Sequence, residues 1–221
     1  MSNKVINKSL STKRYYQESS QVDVKKYRLA QVDRWNEKRF KQRNSLTYKS
    51  ASNVINQNIQ ISSNTAMLCL GTRNNFERDQ FRSNLRHHNV FSLDIAKDSG
   101  SDYIADFNKL KFDTDFDIIF SNAIDHCIQP NKSYLNWLNC LKPSGLMIID
   151  FCLGDDSLLN EHDCASFSKE SISNFLNELE ELNLVKIVYG PKACSETGPP
   201  SWGKEYTGGY IRTAVKRVTN E

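Results

Sequence analysis

Four apolar runs in this 221-residue chain end on small or polar residues that could meet a ligand. Ala66-Met67-Leu68-Cys69-Leu70 stops at Gly71, turns polar through Thr72-Arg73-Asn74-Asn75, and enters a helix-like stretch at Phe76-Glu77. Val90–Leu93 ends at Asp94-Ile95, Tyr103–Ala105 at Asp106-Phe107, and Phe116–Phe120 at Ser121-Asn122. An apolar strand, a glycine and then a helix is how α/β proteins bring backbone close to a nucleotide-like ligand. Taken singly, Gly71 also reads as a plain turn, and Asp94 and Asp106 as helix caps or solvent-facing acids. Jointly, four such sites at strand carboxyl ends could line one crevice.

Those sites need a sheet to hold them, and the periodicity from residue 66 onward supplies one. Met67–Leu70 reads as a first strand and residues 76–88 as a helix with Phe81 and Leu85 on one face. Residues 90–95, 103–105 and 116–120 read as further strands. A helix over 134–141 is closed by Lys142-Pro143-Ser144-Gly145, and 146–151 is a strongly apolar buried strand. Ser168 can cap a helix running to about Leu182, with Ile172, Phe175, Leu176 and Leu179 inward. Residues 184–189 and 210–218 are the last strands, separated by a twenty-residue connection (190–209) of a length usually tied to function or mobility. Alternating strands and helices call for a twisted, mostly parallel sheet covered on both faces.

Ahead of residue 66 the chain has a different character. Residues 1–50 carry 13 Lys/Arg against 4 Asp/Glu, so the net +3 of the whole chain divides into +9 there and −6 beyond. From Tyr15 to about Leu46 the residues are mostly helix formers, with Leu29, Val32 and Trp35 as a narrow apolar stripe. This basic helix reads first as a solvated element packed on the main domain, next as a cover for the site. A nucleic-acid or acidic-lipid surface, with Tyr27, Trp35 and Phe40 among the basic side chains, is the less favoured reading. Residues 45–64 read as a short helix and a linker anchored by Val54, Ile55, Ile59 and Ile61. The domain boundaries expected are a basic helical extension over 1–64 and one α/β domain over 65–221. No run approaches the roughly 18 apolar residues of a membrane helix, and Met1–Leu10 lacks a secretion-signal pattern. Six cysteines without a CxxC pair, most inside apolar runs, point to reduced thiols in a cytoplasmic protein rather than disulfides or a metal site.

In detail the motifs resemble the class I S-adenosylmethionine-dependent methyltransferases. Leu68-Cys69-Leu70-Gly71-Thr72-Arg73, with Glu77 six positions after the glycine, is similar to a subgroup whose first motif reads Leu-Gly-Ala-Arg-x-Gly-x-Glu. Asp106-Phe107-Asn108-Lys109-Leu110 is similar to its Asp-Phe-His-x-Leu, and Ser121–His126 to its Asn-Ser-Leu-Asp-His. Leu141-Lys142-Pro143-Ser144-Gly145 resembles the Leu-Lys-Pro-Gly-Gly ahead of the fifth strand. The resemblance implies a Rossmann-like class I methyltransferase fold with a seven-stranded sheet, and S-adenosyl-L-methionine as cofactor. It implies that Gly71, Thr72, Arg73 and Glu77 form the first cofactor loop and that Asp94, next to Ile95, accepts from the ribose hydroxyls. Asp106 would meet the adenine amino group with Phe107 against the ring, Ser121 would belong to the cofactor site, and Asn122 and the segment after it would face the methyl group and acceptor. Where the family has small residues after the glycine, this chain has Asn74, Asn75 and Phe76. The asparagines are expected to adopt positive φ in glycine's place, and Phe76 to crowd the cofactor. Arg73 is expected on the cofactor carboxylate or on Glu77.

The implied reaction is in-line attack on an activated sulfonium. The expected acceptor is a small molecule or glycan-like group, methylated on oxygen. A hydroxyl needs a base, and His126 beside Asp125 is the first candidate, with His162 on the loop after the fifth strand the second. A cofactor-binding scaffold without catalysis, and an RNA methyltransferase or RNA-binding protein using the basic front, are the alternatives. The absence of an Asn-Pro-Pro-Tyr motif weighs against base amino groups as acceptors.

Overall fold

The computed structural model describes residues 17–18, 26, 29, 32, 45–112, 115–153, 164–194 and 209–218. Nine strands occur among them: β1 (Gln17–Glu18), β2 (Met67–Leu70), β3 (Val90–Asp94), β4 (Tyr103–Ile104), β5 (Phe116–Ser121), β6 (Leu141–Cys152), β7 (Ala165–Ser166), β8 (Val185–Ala193) and β9 (Tyr210–Arg217). The helices are α1 (Ser45–Asn58), α2 (Phe76–Leu85), α3 (Pro130–Asn139) and α4 (Lys169–Glu181), with single 3-10 turns at Lys97–Ser99, Phe107–Lys109 and Ile124–His126.

Seven strands form one sheet in the order β4-β3-β2-β5-β6-β9-β8, parallel except for β9, which runs antiparallel to both its neighbours. The chain moves outward from β2 to β4, then returns to lay β5 on the other side of β2. The order therefore reverses between β2 and β5, which opens a crevice at their carboxyl ends. Strand periodicity divides the core. Leu68 and Leu70 of β2 join Ile119, Trp137, Leu138 and Leu176 on the α3 and α4 face. Met67 and Cys69 join Tyr48, Ala51, Phe81, Phe120 and Ile148 on the α1 and α2 face. Helix α1 thus belongs to the core through Tyr48, Ala51, Val54 and Ile55, and the boundary expected between 64 and 65 falls between this helix and the strand it packs on.

Several element ends differ from the sequence-based expectation, each for a local reason. Helix α2 stops at Leu85 because Arg86 takes φ 50° and its amide caps the carbonyls of Arg82 and Ser83. His87 lies beyond the helix with Nε2 2.7 Å from the Thr65 carbonyl. Helix α3 runs 130–139 rather than 134–141, opening on Pro130, where a missing N–H costs nothing. Strand β6 starts at Leu141, pairs Leu141 with Phe116 and Leu146 with Ile118, and loops Lys142–Gly145 out between them. Ser168 caps α4 in a reciprocal box with Ser171. Strand β8 runs on to Ala193, and the Cys194 amide donates to the Tyr210 carbonyl at 2.9 Å, which narrows the long connection to residues 195–209.

Of the N-terminal stretch, residues 26, 29 and 32 are helical, with Leu29 55% exposed rather than packed. The expected anchor Trp35 lies outside the described residues. Strand β1 pairs antiparallel with β7, matching Gln17 to Ser166 and Glu18 to Ala165. Among the described residues, no helix is long and apolar enough to cross a membrane, and no cluster of His, Cys, Asp and Glu could hold a metal ion.

Candidate cofactor cleft

The turn after β2 is fixed by backbone bonds to its neighbour strand. The amides of Gly71 and Thr72 both donate to the Leu93 carbonyl, at 2.9 and 3.2 Å. Gly71 has φ 73°, and a Cβ there would lie 2.7 Å from the Cβ of Ala123 and 3.4 Å from the Phe107 ring. Glycine is required at this position both for its conformation and for the approach of the two strand ends. Thr72 is buried, its hydroxyl 3.4 Å from that of Ser101.

The left-handed residue that follows is Arg73, at φ 50°, not Asn74 or Asn75. Its amide donates to Asp94 Oδ2 at 2.8 Å, and the Asn74 amide closes the turn onto the Thr72 carbonyl. The asparagines work through their side chains instead. Asn74 Oδ1 accepts the Phe76 amide at 3.2 Å; Asn75 bridges the Gly100 carbonyl and the Ser92 hydroxyl, each at 2.8 Å. Phe76 packs edge-on against Tyr48, with centroids 5.8 Å apart, so its bulk goes into the α1–α2 seam and not against the cleft.

The two expected acids stand at neighbouring strand ends. Asp94 is 6% exposed and takes the Ala96 amide on Oδ1 and the Arg73 amide on Oδ2, both at 2.8 Å. Asp106 caps the 107–109 turn, Oδ1 receiving the amide and Nδ2 of Asn108 at 3.0 Å. The Phe107 carbonyl accepts the indole N–H of buried Trp137 at 2.8 Å. Asn108 Oδ1 receives the Ile128 amide at 3.0 Å and the Ser133 hydroxyl at 3.3 Å, which ties the segment after β5 to the segment after β4.

After β5 the residues separate by role. The Ser121 hydroxyl is fully buried, accepting the Ala123 amide at 3.1 Å and reaching the Leu70 carbonyl at 3.4 Å, so it joins strands rather than facing a ligand. Asn122 Nδ2 donates to Glu77 Oε1 at 2.6 Å, and the Tyr48 hydroxyl reaches the same oxygen at 3.2 Å. Glu77 is buried there; burial first, then its negative charge, pushes the adjacent Cys69 thiol well above its ordinary pKa. His126 Nε2 stands 3.3 Å from Arg73 Nη2. A guanidinium only donates, so the imidazole accepts in this contact. Asp125 is buried in the same turn, and His162 lies outside the described residues.

A cleft with about 400 Å³ of empty volume, open mouth included, is lined by Gly71, Arg73, Asp94, Ile95, Asp106, Phe107, Asn108, Ala123 and His126. Seven of these are expected site residues. Thr72, Glu77, Ser121, Asn122 and Asp125 surround the cleft without lining it. Asn108 and Ala123 were not singled out from sequence. Each stands within two residues of a strand end that was, and that adjacency is the signal that could have found them.

No protein-family model matches the chain, and no curated protein matches it. Solved structures do. A chain of the Haloferax volcanii complex between the Trm112 methyltransferase activator and a proposed methyltransferase is 14% identical, with a TM-score of 0.59 over 91% of this chain and 100% of that one. The Burkholderia thailandensis 1,6-didemethyltoxoflavin-N1-methyltransferase, solved with S-adenosylhomocysteine, is 10% identical, with a TM-score of 0.61 over 92% and 95%. The cyclase SpnF is also 10% identical, with a TM-score of 0.56 over 78% and 81%. At such identities the likeness establishes the Rossmann-like fold of the class I methyltransferases. A cyclase among the matches shows that this fold by itself does not fix a reaction.

Proposed function

We propose that the protein is an S-adenosylmethionine-dependent methyltransferase acting on a small-molecule or glycan-like acceptor. The observation that carries the reading is the meeting of Gly71, Asp94, Asp106 and Phe107 beside the reversal of strand order between β2 and β5. The residues fit that cofactor. Gly71 lines the cleft with no side chain of its own, which leaves its backbone open to a ligand. Carboxylates at 94 and 106 offer acceptors for ribose hydroxyls and an adenine amino group, with the Phe107 ring and Ile95 beside them. Arg73 places a cation in the same cleft for the carboxylate of an amino-acid tail.

When bound, the cofactor supplies an electrophilic methyl group on a sulfonium. The protein's part is to hold that group and the acceptor in line and to exclude water. A hydroxyl acceptor, the reading the sequence favours, has to lose a proton, and His126, in the lining of the cleft, is the base this reading assigns. Its Nε2 stands 3.3 Å from Arg73 Nη2, so that lone pair has to leave the guanidinium before it can take a proton.

Calorimetric titration with S-adenosylmethionine and S-adenosylhomocysteine tests the cofactor reading. Saturable binding supports it; no binding of either at millimolar concentration would overturn it. Methyl transfer to candidate acceptors then tests the enzyme, and binding without turnover would favour a cofactor-binding module.

A further inference from the structure

The loop after β2 and the turn after β5 meet at two places in the cleft. The first is between backbones, where a Cβ on Gly71 would lie 2.7 Å from that of Ala123. The second is between side chains. Arg73 Nη2 stands 3.3 Å from His126 Nε2, and both residues line the cleft half-buried. Their backbones are held: the Arg73 amide donates to Asp94 Oδ2 at 2.8 Å, and the His126 amide to the Ala123 carbonyl at 3.1 Å. Rotation of the arginine side chain is therefore enough to open this contact. A guanidinium cannot accept, so Nε2 is the unprotonated nitrogen and the ring proton sits on Nδ1. A cation at that distance also opposes a second proton on the ring.

We infer that Arg73 is a positioning residue that couples the two ligands: it masks His126 until a ligand carboxylate draws it away, so the base is freed only once the carboxylate-bearing ligand is in place. The inference rests on the cofactor reading of the cleft and on His126 as its base. A neutral imidazole offers a guanidinium one lone pair. A carboxylate offers a fork of two charge-assisted bonds, each roughly twice as strong as a neutral one, and wins the exchange. The acceptor hydroxyl then binds second, and its proton passes to the exposed Nε2 as its oxygen attacks. The other charges around the ring stay as they are. Asp94 and Asp106 share the cleft lining, and Asp125 lies on the ring's own turn. Of the elements packed on that turn, β6 carries Lys142, bonded to Asp117, and Asp150, bonded to Arg212. Helix α3 carries Lys132 and the buried Tyr134, and β7 carries no charge.

Nuclear magnetic resonance of the imidazole rings in the full chain tests the coupling. The chain has four histidines, and the His126 signal is the one missing from His126→Gln. The probes are S-adenosylhomocysteine and its decarboxylated form, which keeps the adenosine, the thioether and the amine. On the native chain S-adenosylhomocysteine should raise the midpoint of the His126 titration by about one pH unit or more. The decarboxylated form, at saturation, should leave that midpoint where it stands without ligand. Arg73→Gln removes the cation, and its His126 should titrate at the higher midpoint with no ligand added. The comparison on the native chain holds whether or not that variant folds. A simple strut between the two loops would give the same His126 titration with both ligands. That result, or an Arg73→Gln chain whose His126 titrates as the native one does, would overturn the inference. A native chain that binds neither nucleoside overturns the cofactor reading itself, and the inference with it.

Discussion

Gly71 is the residue on which the cleft depends most directly. Gly71→Ala forces a Cβ to within 2.7 Å of Ala123 at φ 73°. The left-handed backbone alone costs about 1–2 kcal/mol, so the variant should unfold at lower urea concentration and bind S-adenosylhomocysteine poorly. Asp94→Ala removes the acceptor of two backbone amides, those of Arg73 and Ala96. Its affinity for S-adenosylhomocysteine should fall about tenfold or more; unchanged affinity in calorimetry would show that Asp94 only shapes the loop. At this scale the sequence was informative about which residues end strands and uninformative about which one bends. Arg73 takes the left-handed conformation because its amide meets a carboxylate twenty-one residues later. No local preference of Asn74 or Asn75 could reveal that.

At the scale of elements, the connection from β3 to β4 is held by Asp102. Its carboxylate receives the Ser92 amide at 2.8 Å, the Ser92 hydroxyl at 2.9 Å and the Arg78 guanidinium at 3.2 Å. Burial pushes the Asp102 pKa up, yet the bonds from Ser92 and Arg78 outweigh it and hold the carboxyl below its ordinary value. A depressed folded-state pKa contributes stability above the ordinary carboxylate range and loses it as pH falls through the folded value. Asp102→Asn should therefore be less stable than the native chain at neutral pH, and the gap in urea midpoint should narrow from about pH 5 to about pH 3. A gap independent of pH would mean that the amide replaces the carboxylate in every bond. Ser168→Ala removes half of the α4 capping box and should cost about 1 kcal/mol, read by the same denaturation. The Ser168 cap was legible because it is local. The α2 terminus was not, because Arg86 is an ordinary helix former until His87 is drawn to the Thr65 carbonyl on another element.

At the scale of the molecule, Arg212 of β9 and Asp150 of β6 make a two-bond ion pair at 2.7 and 2.8 Å with essentially no exposure. Arg212 also donates to the Thr47 carbonyl at 3.1 Å, so the pair joins α1 to the sheet. Arg212→Met strands a buried carboxylate and should cost about 3–5 kcal/mol in chemical denaturation, while Arg212→Met with Asp150→Leu should recover much of that loss. Equal losses in both would assign the effect to packing around the guanidinium.

The sequence by itself determined the alternation of buried strands and amphipathic helices, because periodicity is a local property. It also determined that small or acidic residues end successive strands. Only the tertiary structure decided which of those ends meet, since the reversal between β2 and β5 joins residues fifty-one positions apart. It placed Arg73 on His126, and Asn122 on Glu77 rather than in the cleft lining. Those contacts arise from hydrogen-bond donors and acceptors of different elements being buried together, a condition that does not exist until the sheet has formed.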